Sequence, residues 1–125
     1  MLPLVVAKNL NAAEWGNLYK VSVQQGVVAI AYSMISSFAN NGTLPRALKI
    51  QWALHADNIK QRTQNQLITA NELTDIYKAN NINTALLKGL GLGIYYSNSK
   101  HRECGDFDCY LFDDYQNGIE IAKTV

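Results

Sequence analysis

The chain is 125 residues long, 48% hydrophobic and nearly neutral, with 11 basic against 10 acidic residues and a net charge of +1. It is too apolar for a disordered segment, and it is long enough for one domain whose core needs neither disulfides nor a structural metal. A charge this small argues against a broad basic nucleic-acid-binding face. The longest strongly apolar stretch, Val27 to Ile35, is nine residues, against the ~20 that span a bilayer.

Met1 to Ala7 is apolar but has no basic segment before it and is shorter than a secretory signal core, so the expected location is the cytoplasm. Asn11-Ala-Ala-Glu14 has the form of an N-cap with an acid three residues on, which predicts a first helix starting near Asn11 and carrying Trp15, Leu18 and Tyr19. Val27 to Phe38 is apolar nearly all round, which favours a buried helix, although its β-branched residues leave a strand reading open. Asn40-Asn-Gly42 is turn chemistry, and Thr43-Leu-Pro45 starts another helix with proline in the first turn.

From Pro45 to about Asn80 apolar residues recur three and four apart in one narrow stripe through Leu48, Trp52, Ile59, Leu67, Ala70, Leu73 and Tyr77. Lys60 to Gln66 is wholly polar, so the segment reads either as one long helix or as two with a weak joint there. His55 on this stripe is expected to be a packing residue. Asn80-Asn-Ile-Asn83 ends the periodicity.

Thr84 to Leu87 is a short apolar strand closed by Lys88-Gly89, and Leu90 to Tyr96 repeats on a helical period despite Gly91 and Gly93, with Tyr95 and Tyr96 expected to cover the core. The run Gly105 to Phe112 reads as a second strand, with Asp106, Asp108, Tyr110 and Phe112 on one face and Phe107, Cys109 and Leu111 on the other. Asp113 to Val125 opens with acids suited to a helix N-terminus. Cys104 and Cys109, spaced C-x4-C, match neither a zinc ribbon nor a thioredoxin pair, so two reduced thiols are expected. The expected architecture is α+β: a single domain over 1–125, in which a mainly helical region (1–81) packs on a small mixed or antiparallel sheet built by strand-helix-strand-helix (82–125). Trp15, Leu48, Trp52 and Ile59 are its expected anchors.

Carboxylates at i and i+2 on a strand project from one face with α-carbons ~6.6 Å apart, which lets Asp106 and Asp108 converge on a hard cation. Two such anions side by side call for a cation between them. The unit Leu86-Leu-Lys-Gly89, then Arg102-Glu-Cys-Gly-Asp106-Phe-Asp108, resembles bacterial nucleotidyltransferase-family proteins with the DNA polymerase beta-like fold, most clearly from Ile82 to Phe112. The resemblance implies a truncated form of that core, with Asp106 and Asp108 as catalytic residues that bind Mg²⁺ or Mn²⁺. It implies Lys88, Gly89 and Arg102 as nucleotide-binding residues.

The implied reaction moves a nucleoside monophosphate from a metal-bound nucleoside triphosphate to an unknown acceptor. Such transferases use a third carboxylate from a later strand, and only 17 residues follow Asp108, so this chain is expected to be incomplete or inactive by itself. The alternative is a non-catalytic nucleotide-binding or protein-interaction module that keeps the fold and makes a protein contact or self-associates through its helical region. A D-x-D glycosyltransferase fits less well, because it would place a long βαβ region before the motif.

Overall fold

The computed structural model describes residues 10–37, 42–112 and 114–125. In chain order the elements are α1 (Ala12–Gln24), α2 (Val28–Ser36), α3 (Arg46–Ala79), β1 (Thr84–Leu87), α4 (Lys88–Leu92), two short 3-10 turns (Gly93–Tyr95 and Ser99–His101), β2 (Asp108–Leu111) and α5 (Tyr115–Lys123). The fold is α+β, and β1 and β2 form a two-stranded antiparallel sheet. The residues group into two compact units, one running to Gln61 and taking in Lys100–Glu103, the other comprising Arg62–Ser99 and Cys104–Val125.

In the first unit α1 starts where the sequence placed it. The Asn11 side chain accepts from the Glu14 amide at 2.9 Å and Glu14 accepts from the Asn11 amide at 2.7 Å, so two amides that the helix leaves unpaired are satisfied reciprocally. Gly26, at φ +66, makes the left-handed turn into α2, and the apolar run after it is helical, not strand. Trp15 and Trp52 are fully buried in a core with Val28, Ala29, Ile35, Leu44, Ala56 and Ile59, against which Leu48 is partly buried. Both indole N–H groups are used: Trp15 donates to Thr43 Oγ1 at 2.9 Å, and Trp52 to the Val28 carbonyl at 3.0 Å. His55 is a packing residue as expected, with Nδ1 2.9 Å from the Tyr19 hydroxyl.

The segment 46–79 is one helix, so its polar middle does not break it. Asn81 ends it in the left-handed conformation at φ 61, with the Ile82 amide donating back to Tyr77. In the second unit the register pairs Thr84 with Leu111, Ala85 with Tyr110, Leu86 with Cys109 and Leu87 with Asp108. One sheet face therefore carries Thr84, Leu86, Cys109 and Leu111, and the other Ala85, Leu87, Asp108 and Tyr110. Leu111 lies against Gly118 of α5, whose carbonyl accepts from the Tyr77 hydroxyl at 3.3 Å.

Three expectations need correction. The second strand is Asp108–Leu111, not Gly105 to Phe112, so Asp106 and Phe107 precede it. The reason is the partner: β1 ends at Leu87 opposite Asp108, the chain turns away into α4, and among the described residues no strand continues alongside residues 106 and 107. The helix expected over Leu90 to Tyr96 is shorter: α4 spans Lys88–Leu92 with a kink of non-helical backbone at Gly89 (φ 11, ψ -102), and it tightens into a 3-10 turn from Gly93. Tyr95 covers no core, being 81% exposed. Asp113 lies outside the described residues; Asp114 caps α5, accepting from the Asn117 amide at 3.0 Å.

Candidate functional site

The site is built in the second unit, at the sheet end where β1 turns into α4. Because Leu87 pairs with Asp108, the residue after Leu87 stands beside Asp108, and the Lys88 ammonium lies 3.8 Å from its Oδ2. The side chains are 82% and 57% exposed, so this is a loose, solvated pair worth at most about 1 kcal/mol. The cation that sequence reasoning asked for beside the carboxylates is, at Asp108, supplied by the chain itself.

Lys88 adopts φ 48, the left-handed region in which a side chain is disfavoured. The turn that presents the ammonium therefore holds its backbone in an uncommon conformation. Gly89 follows, and at Gly91 a β-carbon would collide with the Leu86 carbonyl oxygen, so α4 doubles back tightly on the strand it leaves. Asp108 shares its sheet face with Tyr110, whose ring meets that of Phe112 edge-on at 4.9 Å, both rings about half exposed.

Asp106 is exposed and lies in the loop before β2. Its segment is held from α3: Arg62 Nη2 donates to the Gly105 carbonyl at 3.2 Å, and Gln66 Nε2 donates to the Cys104 and Gly105 carbonyls, each at 3.1 Å. The Cys104 thiol donates to the Asp106 carbonyl at 2.8 Å. Sequence reasoning read Lys60 to Gln66 either as the polar middle of one long helix or as a weak joint between two, and did not single out Arg62 or Gln66. The only signal available was two long donors four apart on a polar helix face.

Of the expected site residues, Lys88, Gly89, Asp106 and Asp108 belong to the second unit, with Lys88 and Asp108 in contact, whereas Arg102 belongs to the first. Both cysteines are free. Burial pushes the Cys109 thiol pKa up, opposed by a hydrogen bond with the Thr84 side chain. Burial also raises the Tyr77 phenol, with the Cys109 charge adding to it. In the first unit burial, and then the Lys60 charge, lower the His101 pKa. Among the described residues no group of three or more His, Cys, Asp or Glu side chains is gathered as for a metal ion, and no helix is long and apolar enough to cross a membrane.

A family model described as uncharacterised nucleotidyltransferase matches residues 11–116. No curated protein and no solved structure matches the chain.

Proposed function

The chain belongs to the uncharacterised nucleotidyltransferase family, and from that membership we propose that its second unit binds a metal-complexed nucleoside triphosphate for transfer of the nucleoside monophosphate to a hydroxyl acceptor. The observation that carries this reading is the register of the two strands. It brings the Lys88-Gly89 turn and Asp108 to one end of the sheet, with ammonium and carboxylate 3.8 Å apart.

Asp106 and Asp108 are exposed oxygen donors, which suits Mg²⁺ or Mn²⁺, ions often held by one or two carboxylates together with phosphates and waters. When bound, such an ion neutralises phosphate charge. Lys88, swinging from Asp108, meets a non-bridging phosphate oxygen, and Gly89 leaves the approach to the turn unobstructed by a side chain. Transfer is attack of the acceptor hydroxyl oxygen on the α-phosphorus, with departure of pyrophosphate and loss of the hydroxyl proton to solvent. The protein's part is positioning and charge. With two carboxylates in the proposed set instead of the usual three, turnover by this chain alone is expected to be slow or absent. The proposal places this activity in the cytoplasm, which the two free thiols support.

The Lys88–Asp108 pair also favours a second reading, since a carboxylate already beside an internal cation does not require a metal. In that reading the chain is a non-catalytic module, and its exposed helix residues Val21, Met34, Ile50 and Leu54 contact a protein.

The test is thermal unfolding in millimolar Mn²⁺ with and without ATP, followed by transfer from labelled nucleoside triphosphates to a pool of hydroxyl compounds. A rise in melting temperature that requires both ion and nucleotide, and is reduced in Asp106→Asn and Asp108→Asn, supports the site. No rise in the wild type defeats it. A rise without transfer selects the binding module.

A further inference from the structure

Pairing with Leu87 fixes Asp108, but Asp106 lies outside the ladder and must be held by something else. The direction in which a side chain leaves the backbone is set by the two peptide planes on either side of its α-carbon. Both planes at Asp106 are anchored. The carbonyl of Gly105, in the preceding peptide, accepts from Arg62 at 3.2 Å and from Gln66 at 3.1 Å, and the carbonyl of Asp106, in the following one, accepts from the Cys104 thiol at 2.8 Å. Gln66 also takes the Cys104 carbonyl at 3.1 Å, so its amide nitrogen spans two successive peptides.

A second observation sets the Gln66 carboxamide apart from a solvated one. Its Oε1 is buried and has no hydrogen-bond partner among the described residues. A glutamine merely resting on a solvated helix would turn that acceptor to water, because a buried unpaired acceptor is costly. The carboxamide is oriented by its donors alone, and both act on the loop.

We propose that Arg62 and Gln66 are positioning residues that clamp the Cys104-Gly105-Asp106 loop, so that the Asp106 carboxylate is presented to the divalent cation in one orientation. The inference rests on the reading of Asp106 and Asp108 as the metal-binding pair. Neither residue touches the cation or the nucleotide; both act through Asp106.

The experiment measures Mn²⁺ binding to the full chain by electron paramagnetic resonance, in the presence of a non-hydrolysable ATP analogue. It covers wild type, Gln66→Met, Arg62→Ala, Arg62→Lys, and Gln66→Met combined with Asp106→Asn. Outer residues that orient a metal ligand typically change affinity 10- to 100-fold, so Gln66→Met should weaken binding about tenfold. Arg62→Ala should weaken it less, because Gln66 still holds the Gly105 carbonyl, and Arg62→Lys should stay near wild type. In the Asp106→Asn background Gln66→Met should cost nothing more, because its effect passes through that carboxylate, whereas general damage to the fold would add in full. Wild-type affinity in Gln66→Met, or full additivity with Asp106→Asn, overturns the clamp and leaves the metal site standing. Absence of Mn²⁺ binding by the wild type overturns the metal site and the clamp with it. Arg62 is exposed, so if Gln66→Met does not fold, Arg62→Ala carries the same cycle with the same two overturning results.

Discussion

Replacing Lys88 by glycine and, separately, by alanine removes the same ammonium group from the strand-to-helix turn but changes the backbone energy differently. At φ 48 a residue with a β-carbon is held in the left-handed region, at roughly 1–2 kcal/mol. Glycine escapes that cost, but the greater freedom of its unfolded chain takes back about 0.5–1 kcal/mol. Alanine keeps the strain. The ion pair with Asp108 adds little to the balance, because a pair 3.8 Å apart with side chains 82% and 57% exposed contributes roughly 0–1 kcal/mol, and both variants lose it alike. Lys88→Gly is therefore expected to be more stable than Lys88→Ala by roughly 0.75 kcal/mol, the difference of the midpoints of those two backbone terms.

Function should move the other way. If the ammonium meets a phosphate oxygen, both variants lose affinity for a Mn²⁺-triphosphate by about tenfold, the low end for a hydrogen bond to a charged group and suited to so exposed a side chain. Urea unfolding at a shared m-value gives the first quantity, and titration calorimetry with a non-hydrolysable triphosphate gives the second. Equal stability of the two variants would refute the claim of backbone strain at residue 88. Retained affinity in Lys88→Gly would refute the phosphate contact. A variant that gains stability while losing ligand would mean that the turn keeps a strained backbone for the sake of its side chain.

Gly91→Ala should destabilise the chain by about 1–3 kcal/mol in urea, because its β-carbon meets the backbone oxygen of Leu86; Gly118→Ala should cost less, since the atom in its way is the tip of the Leu111 side chain, which can rotate. Because the folded pKa of His101 is lowered, the unfolded chain takes up the proton first, so stability is full above about pH 6.5 and falls as the solution is acidified below it. His101→Gln should flatten that dependence in melting temperatures taken at about pH 5.5 and 7.5, and an unchanged slope would assign it to other groups. Cys109 has its thiol pKa raised by burial, so iodoacetamide at about pH 8 should label it at least about tenfold faster in urea than in the folded chain. Equal rates would mean the strand does not shelter it.

What could be read from the sequence was what neighbouring residues decide. The capping box of Asn11 and Glu14 places the start of α1, and the asparagines after Ala79 end α3, because both depend on contacts within a few residues. The sequence left the sheet as mixed or antiparallel, and the pairing of Leu87 with Asp108 makes it antiparallel. Strand length could not be read, because it belongs to a pair: residues 105 to 107 alternate like a strand but have no strand partner among the described residues once β1 has turned away at Leu87. Nor could the polar run of α3 be read, since Arg62 and Gln66 satisfy loop carbonyls 43 and 39 residues away, and the same residues on a solvated helix would look identical. Tyr95 was assigned to the core from an apolar helical period that the short α4 does not sustain, and it is exposed.

The outward presentation of Asp108 follows from packing on the opposite sheet face. Side chains alternate along β2, so a one-residue slip would exchange the Asp108 and Tyr110 face for that of Cys109 and Leu111. Leu111 lies against Gly118, where a β-carbon would overlap it, and the carbonyl of Gly118 is tied to Tyr77. No such fit awaits an aspartate: turned to that side, its carboxylate would face the burial that already raises the Cys109 thiol and the Tyr77 phenol. Gly118 and Tyr77 thus help set the direction of Asp108 without touching it. A bulky residue at 118 and Asp108→Asn should both silence the site, but only the first should also expose Cys109 to alkylation, which separates loss of the register from loss of the carboxylate.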